Sequence, residues 1–224
     1  GHPPRAGVRV IDLAAAADAD SPAGIAGDEF LYEHVHLTMR GTYRLARELC
    51  APIEADLRHR GLVAADAPTP QWPELAVVRD RLAYTVYEQA MIVREMITRF
   101  SKPPFTNQSD NAERLDRYRT MDQTATLLLQ RPDAAADLAA KYEAALTARP
   151  DDWVLRRNAG MAFTATRQPQ RGLPLLVQAA AEIPDDPDTL FALGQAHRAL
   201  GDEAAAAVAF ARVRALEPRY PGLP

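Results

Sequence analysis

The stretch Arg149-Pro150-Asp151-Asp152-Trp153 is answered by Ile183-Pro184-Asp185-Asp186-Pro187, and Pro218 closes the series, so that Pro150, Pro184 and Pro218 stand 34 residues apart. Shifting the chain by 34 lays Gly160 on Gly194, Ala162 on Ala196, Phe163 on His197, Gly172 on Ala206 and Leu176 on Phe210. A glycine in the middle of a helix costs about 1 kcal/mol relative to alanine, so Gly160 and Gly194 predict a partner helix that leaves no room for a side chain. Ala162, Ala196, Gly172 and Ala206 are small enough to let two antiparallel helices approach, while Phe163, Leu176, Leu193 and Phe210 fill the volume between them. The prolines end each second helix. The aspartates after Pro150 and Pro184 offer carboxylates to the free amides and positive dipole end of the next.

A helix–turn–helix unit of this length, with small, aromatic and proline residues at these places, resembles the tetratricopeptide repeat (TPR) family. His197 departs from the tyrosine that family prefers, and Ala159 from its leucine. Upstream, residues 132–149 carry Tyr142 and Ala145 at the places that Leu176 and Ala179 hold relative to the next proline. The resemblance therefore implies about two and a half repeats over 109–218. Such a unit cannot bury its apolar face alone and fewer than about three repeats would be marginal, so other helices should cap the stack.

In that family the first helix of each pair lines the concave side. The resemblance thus assigns Arg157, Met161 and Thr164 in one unit, and Phe191, Gln195 and Arg198 in the next, to a surface for a protein or peptide partner. Two arginines with apolar neighbours would suit an acidic or C-terminal peptide, because a guanidinium pairs bidentately with a carboxylate. The family's carboxylate clamp, however, sets an asparagine one turn after its basic residue, where this chain has Met161. The alternative is that these faces are covered by the chain's own helices or by a second copy in a homodimer.

The 224 residues are 47% hydrophobic and 25% charged, as in ordinary globular proteins. A net charge of −4 and a pI near 5.8 argue against a nucleic-acid surface. No apolar run is long enough to span a membrane. One cysteine, Cys50, rules out an internal disulfide and reads as a small core residue. Gly1-His2 reads as a cloning remnant in place of an initiator methionine, and implies a piece of a longer protein, which leaves its compartment open.

Val8-Arg9-Val10-Ile11-Asp12-Leu13 is rich in β-branched residues and predicts a short strand, which either pairs across a dimer or stays irregular for want of a ladder partner. Glu33, His34 and His36 follow, then Gly41 and an amphipathic helix with Leu45, Leu49, Ile53 and Leu57 on one face. Pro52 predicts a kink or break in that helix near Glu48. A strand, an acid three residues before a histidine, a glycine and a closing helix resemble the last segment of an SGNH (GDSL-like) hydrolase domain. Carried over, His36 would be the general base and Glu33, in place of the usual aspartate, its orienting carboxylate. The serine and oxyanion-hole residues of that family have no counterpart upstream, so catalysis is expected only in an intact parent protein. His34 and His36 could instead hold a metal, but no third ligand lies near in sequence; no metal or cofactor is expected.

Between these regions, residues 61–73 with Pro68, Pro70 and Pro73 read as a linker. A helical cap over 74–108 contains a helix opened by Pro73 and a second one started by the capping box Thr85-Val86-Tyr87-Glu88, with the stripe Val86, Ala90, Val93, Ile97 and Phe100. Phe105 is expected to tuck inward from a rigid connection, and a helix near 110–130 to pair with 132–149. Residues 219–224 form a tail. The expected fold is mainly α, a TPR-type array with a helical cap behind a small α/β remnant at 3–60.

Overall fold

A computed structural model describes residues 8–64, 66–69 and 71–224; Gly1, His2 and Pro70 lie outside the described residues. The described chain is mainly helical: α1 (Leu13–Ala19), α2 (Met39–His59), α3 (Leu75–Arg81), α4 (Val86–Phe100), α5 (Asn111–Leu129), α6 (Ala134–Ala148), α7 (Trp153–Ala165), α8 (Pro169–Glu182), α9 (Pro187–Ala199) and α10 (Glu203–Leu216). It divides into two compact units after Leu75. Among the described residues no helix is long and apolar enough to cross a membrane.

The second unit carries the period in its backbone. Both ends of α9 lie 34 residues beyond those of α7, and both ends of α10 lie 34 beyond those of α8. Asp152 and Asp186 cap α7 and α9 through the amides of Leu155 and Thr189, each at 3.0 Å. Arg149, Ile183 and Glu217 end α6, α8 and α10 in similar extended conformations, their amides bonded to the carbonyls of Ala145, Ala179 and Val213. Tyr142, Leu176 and Phe210, again 34 apart, are buried one per unit.

Close approach explains the glycines. A Cβ on Gly172 would stand 2.6 Å from the Gly160 carbonyl and 2.7 Å from Thr164 Oγ1, and one on Gly160 would stand 2.5 Å from Leu176 Cγ. Thus Gly160 and Thr164 of α7 meet Leu176 and Gly172 of α8 in reverse order, which makes the pair antiparallel. At Gly194 the obstacle is the Phe210 ring, 2.5 Å away. Ala162 and Ala196 are fully buried beside these contacts. The cap joins the same core: Ala83 and Tyr87 pack with Leu138, Tyr142, Leu155 and Phe163. The capping box forms at Thr85 and Glu88, and Phe105 lies 4.8 Å from Phe100, ring to ring.

In the first unit the irregular alternative holds for residues 8–12, and the break at Pro52 does not occur. Residues 8–12 form no strand, and Leu13 opens α1 instead. Val8 and Val10 are 56% and 78% exposed, with no ladder to satisfy their backbone. Asp12 caps an alanine-rich segment, accepting from the Ala15 amide at 2.9 Å, and alanine is the strongest helix former. Among the described residues the α/β remnant is therefore helical, with one isolated antiparallel bridge between Leu31 and Leu37. α2 also runs unbroken through Pro52. Glu48, whose carbonyl loses its partner there, is solvent-exposed, so water can take the bond. Cys50 is only half-buried.

The obstacles rank the glycines. At Gly172 a methyl meets backbone, which cannot rotate away, whereas at Gly194 it meets a ring that can. Gly172→Ala is expected to destabilise the protein by about 1–3 kcal/mol through overpacking, and Gly194→Ala by less, as read from urea unfolding. Equal stabilisation by both would contradict the close packing. Asp186→Ala should cost about 1 kcal/mol through loss of its cap.

Candidate functional site

Two clusters hold the residues singled out by the sequence. The first is the turn before α2. Two backbone bonds close it, Tyr32 N–H to His36 O and Thr38 N–H to Phe30 O, both 2.8 Å. Thr38 caps α2 through the Gly41 amide (3.0 Å) and donates its hydroxyl to the Glu29 carbonyl (2.8 Å). A Cβ at Gly41 would overlap the Phe30 carbonyl, so only glycine lets the first turn of α2 lie on this loop.

Inside the turn the Glu33 carboxylate is buried, with 1% of its side chain exposed, while the imidazoles of His34 and His36 are 64% and 48% exposed. One oxygen is hydrogen-bonded to His36 Nδ1. The other meets His34 Nδ1 at 2.7 Å and the Val35 amide at 3.0 Å. Burial alone would raise the Glu33 pKa, but the bonds from His36 and Val35 and the charges of His34 and His36 outweigh it and hold it below the ordinary carboxylate value. An ionised carboxylate only accepts, so it fixes the proton of His36 on Nδ1 and leaves Nε2 as the basic nitrogen. Among the described residues no group of three or more His, Cys, Asp or Glu side chains is arranged to hold a metal ion.

The second cluster is a groove of about 390 Å³ in the helical stack. Met161 and Thr164 of α7 and Phe191 and Gln195 of α9 line it, joined by Ala165, Ala192 and Ala199 and by Tyr87 and Met91 of α4. Four of the six residues expected on this face thus converge. Both arginines stand apart. Arg157 lies with its guanidinium 5.4 Å above the Trp153 ring and 3.4 Å from the Asp186 carboxylate that caps α9. Arg198 lies 4.7 Å over the Phe210 ring, with Glu203 3.8 Å away.

Tyr87 and Met91 escaped the sequence reading because they flank the main stripe of α4. Their own spacing of four, a second apolar row on one helix, is the signal that could have found them. Burial, and to a lesser degree Glu88, pushes the Tyr87 phenol up to about 12, partly offset by Arg94, so it remains a neutral hydroxyl. The tail 219–224 also folds back. The Tyr220 ring stacks 5.0 Å from Phe191, its hydroxyl donates to Asp188 at 2.6 Å, and Leu223 joins the cluster of Ala180, Leu190 and Val213.

No known protein family, curated protein or solved structure matches the chain.

Because its folded pKa is depressed, Glu33 stabilises the turn above the ordinary carboxylate pKa, and this contribution is lost as pH falls through the depressed value. The Val35 amide and His36 ring resonances should therefore move together on acidification. Glu33→Gln should abolish that acid-side transition; its persistence in the variant would assign the transition elsewhere.

Proposed function

We propose that the helical stack is a protein-interaction module of the TPR type, with its groove between α4, α7 and α9 as the docking surface. The observation that supports this reading is convergence: residues on two helices one 34-residue period apart share one opening, and a third helix adds Tyr87 and Met91. Glycines and alanines bring the helices of each pair into contact, which leaves their larger apolar residues to shape a surface. Met91 is 40% exposed although it lines an apolar groove, as a surface awaiting a partner would be.

The turn before α2 favours a second reading for the first unit. A buried carboxylate bonded to Nδ1 of a half-exposed histidine is the acid–base half of a hydrolytic triad. In an SGNH-type acyl hydrolase such a pair would take the proton of a serine supplied by another segment of a longer protein, with Glu33 stabilising the imidazolium that forms. His36→Ala in that intact protein should abolish hydrolysis of a short-chain aryl ester, whereas activity surviving the substitution would leave the pair a structural turn.

A photo-crosslinking residue placed at Met91 tests the module in the native host. Crosslinks to a protein partner are expected at Met91 and not at Val208, an exposed position on α10 outside the groove. Labelling from Val208 alone would defeat the reading.

A further inference from the structure

The groove's lining sets the chemistry of what it can hold. Among its residues none carries a formal charge. Of the arginines close to it in sequence, Arg94 is paired with Asp122, Arg157 with Asp186 and the Trp153 face, and Arg198 with the Phe210 face and Glu203, while the exposed Arg167 is not part of the lining. A carboxylate entering the groove would lose water without gaining an ion pair, and that loss is large in apolar surroundings.

Two observations say what fits instead. Among the described residues the half-buried Gln195 amide makes no hydrogen bond, while the other polar side chain of α7 and α9 there, Thr164, is already committed to the Gly160 carbonyl at 2.8 Å. A primary amide offers a donor and an acceptor side by side, which matches the N–H and C=O of one residue in an extended chain. The chain's own tail shows that the groove's aromatic ring, Phe191, accepts an uncharged segment. Tyr220-Pro221-Gly222-Leu223-Pro224 is uncharged in its side chains and turns at Pro221-Gly222 instead of forming a helix, and it lies against Phe191, with Gly222 close enough that a Cβ would touch the ring at 3.4 Å.

We infer that the groove binds an extended, uncharged apolar segment of a partner protein, with Gln195 reading its backbone, and that it discriminates against acidic segments. This deepens the interaction-module reading and rests on it. It also replaces the expectation of an acidic or C-terminal ligand: of the arginines that suggested one, Arg157 ties its helix pair to the next through Asp186, and Arg198 lies against α10 of its own pair. Met91 and Met161 supply adaptable, polarisable walls for apolar side chains.

The test uses the whole chain with methyl-labelled methionine. Met91 and Met161 report on the groove, and Met39, Met96 and Met121 serve as internal controls. The probes are a capped heptapeptide, Gly-Ser-Leu-Trp-Leu-Ser-Gly, and its analogue with both leucines replaced by glutamate. The neutral peptide is expected to shift the Met91 and Met161 methyls saturably, and the acidic one to bind at least about tenfold more weakly. Met91→Lys, at an exposed position, should narrow or reverse that preference as read at Met161, and Gln195→Ala should weaken the neutral peptide. Acidic binding as tight as neutral, or no movement of either groove methyl, would overturn the inference. The two levels separate in the crosslinking experiment. Partner segments caught at Met91 that prove acidic would sink this inference and leave the module reading standing, whereas no crosslinks at Met91 would remove both.

Discussion

The second unit depends on the close approach of the two helices within each pair, backbone to backbone at α7 and α8 and backbone to ring at α9 and α10. α7 and α8 touch where Gly160 faces Leu176 and Gly172 faces the Gly160 carbonyl, with no volume left for a Cβ at either glycine. That approach sets the spacing of the pair, and the spacing decides which larger side chains remain between helices and which are turned outward. Phe163 edges against Tyr142 with ring centroids 6.0 Å apart, on the side facing the preceding helix. Met161, two residues away and therefore on the opposite side of the same helix, faces the groove. One constraint thus produces both the core and the surface.

The same economy governs the charges. Asp186 caps α9, accepts the Thr189 hydroxyl and receives Arg157 from the preceding pair, so a single carboxylate starts one helix and links it to another. Arg156 is buried and divides its guanidinium between the Pro150 carbonyl and Glu182, where the next unit has the buried Leu190. The Arg157–Asp186 pair registers one repeat on the next, whereas Arg156–Glu182 ties α7 to α8 within one. Whether they add net stability depends on desolvation, which burial at Arg156 makes substantial. In the first unit the Glu33 carboxylate organises a turn in the same way, by accepting from two histidines and an amide at once.

Much of this was legible in the chain. Helix pairing, the Asp152 and Asp186 caps, the Thr85 capping box and the inward ring of Phe105 each follow from local rules that tertiary context reinforced. Four of the six residues expected on the groove meet there. The failures have physical causes. The β-branched pattern at Val8–Leu13 describes a residue's fit to a sheet, but among the described residues no neighbouring strand supplies one, and the alanines after Asp12 take the segment's end into α1. Pro52 removes a hydrogen bond inside α2 one turn after the solvent-exposed residue Glu48, and the helix continues.

What the amino-acid sequence determined by itself is the period: where helices start, where they stop, and which positions must be small, because caps, prolines and glycines act over a few residues and need no distant partner. The tertiary structure alone decided what those helices present to the outside. Arg157 and Arg198 were drawn away by Asp186 and Phe210, groups brought near by packing, as well as by their sequence neighbours Trp153 and Glu203, and Tyr87 and Met91 became groove walls because the cap docks on α6 and α7. A side chain's helix and phase can be counted along the chain, but its neighbours across space are set by how the helices stack.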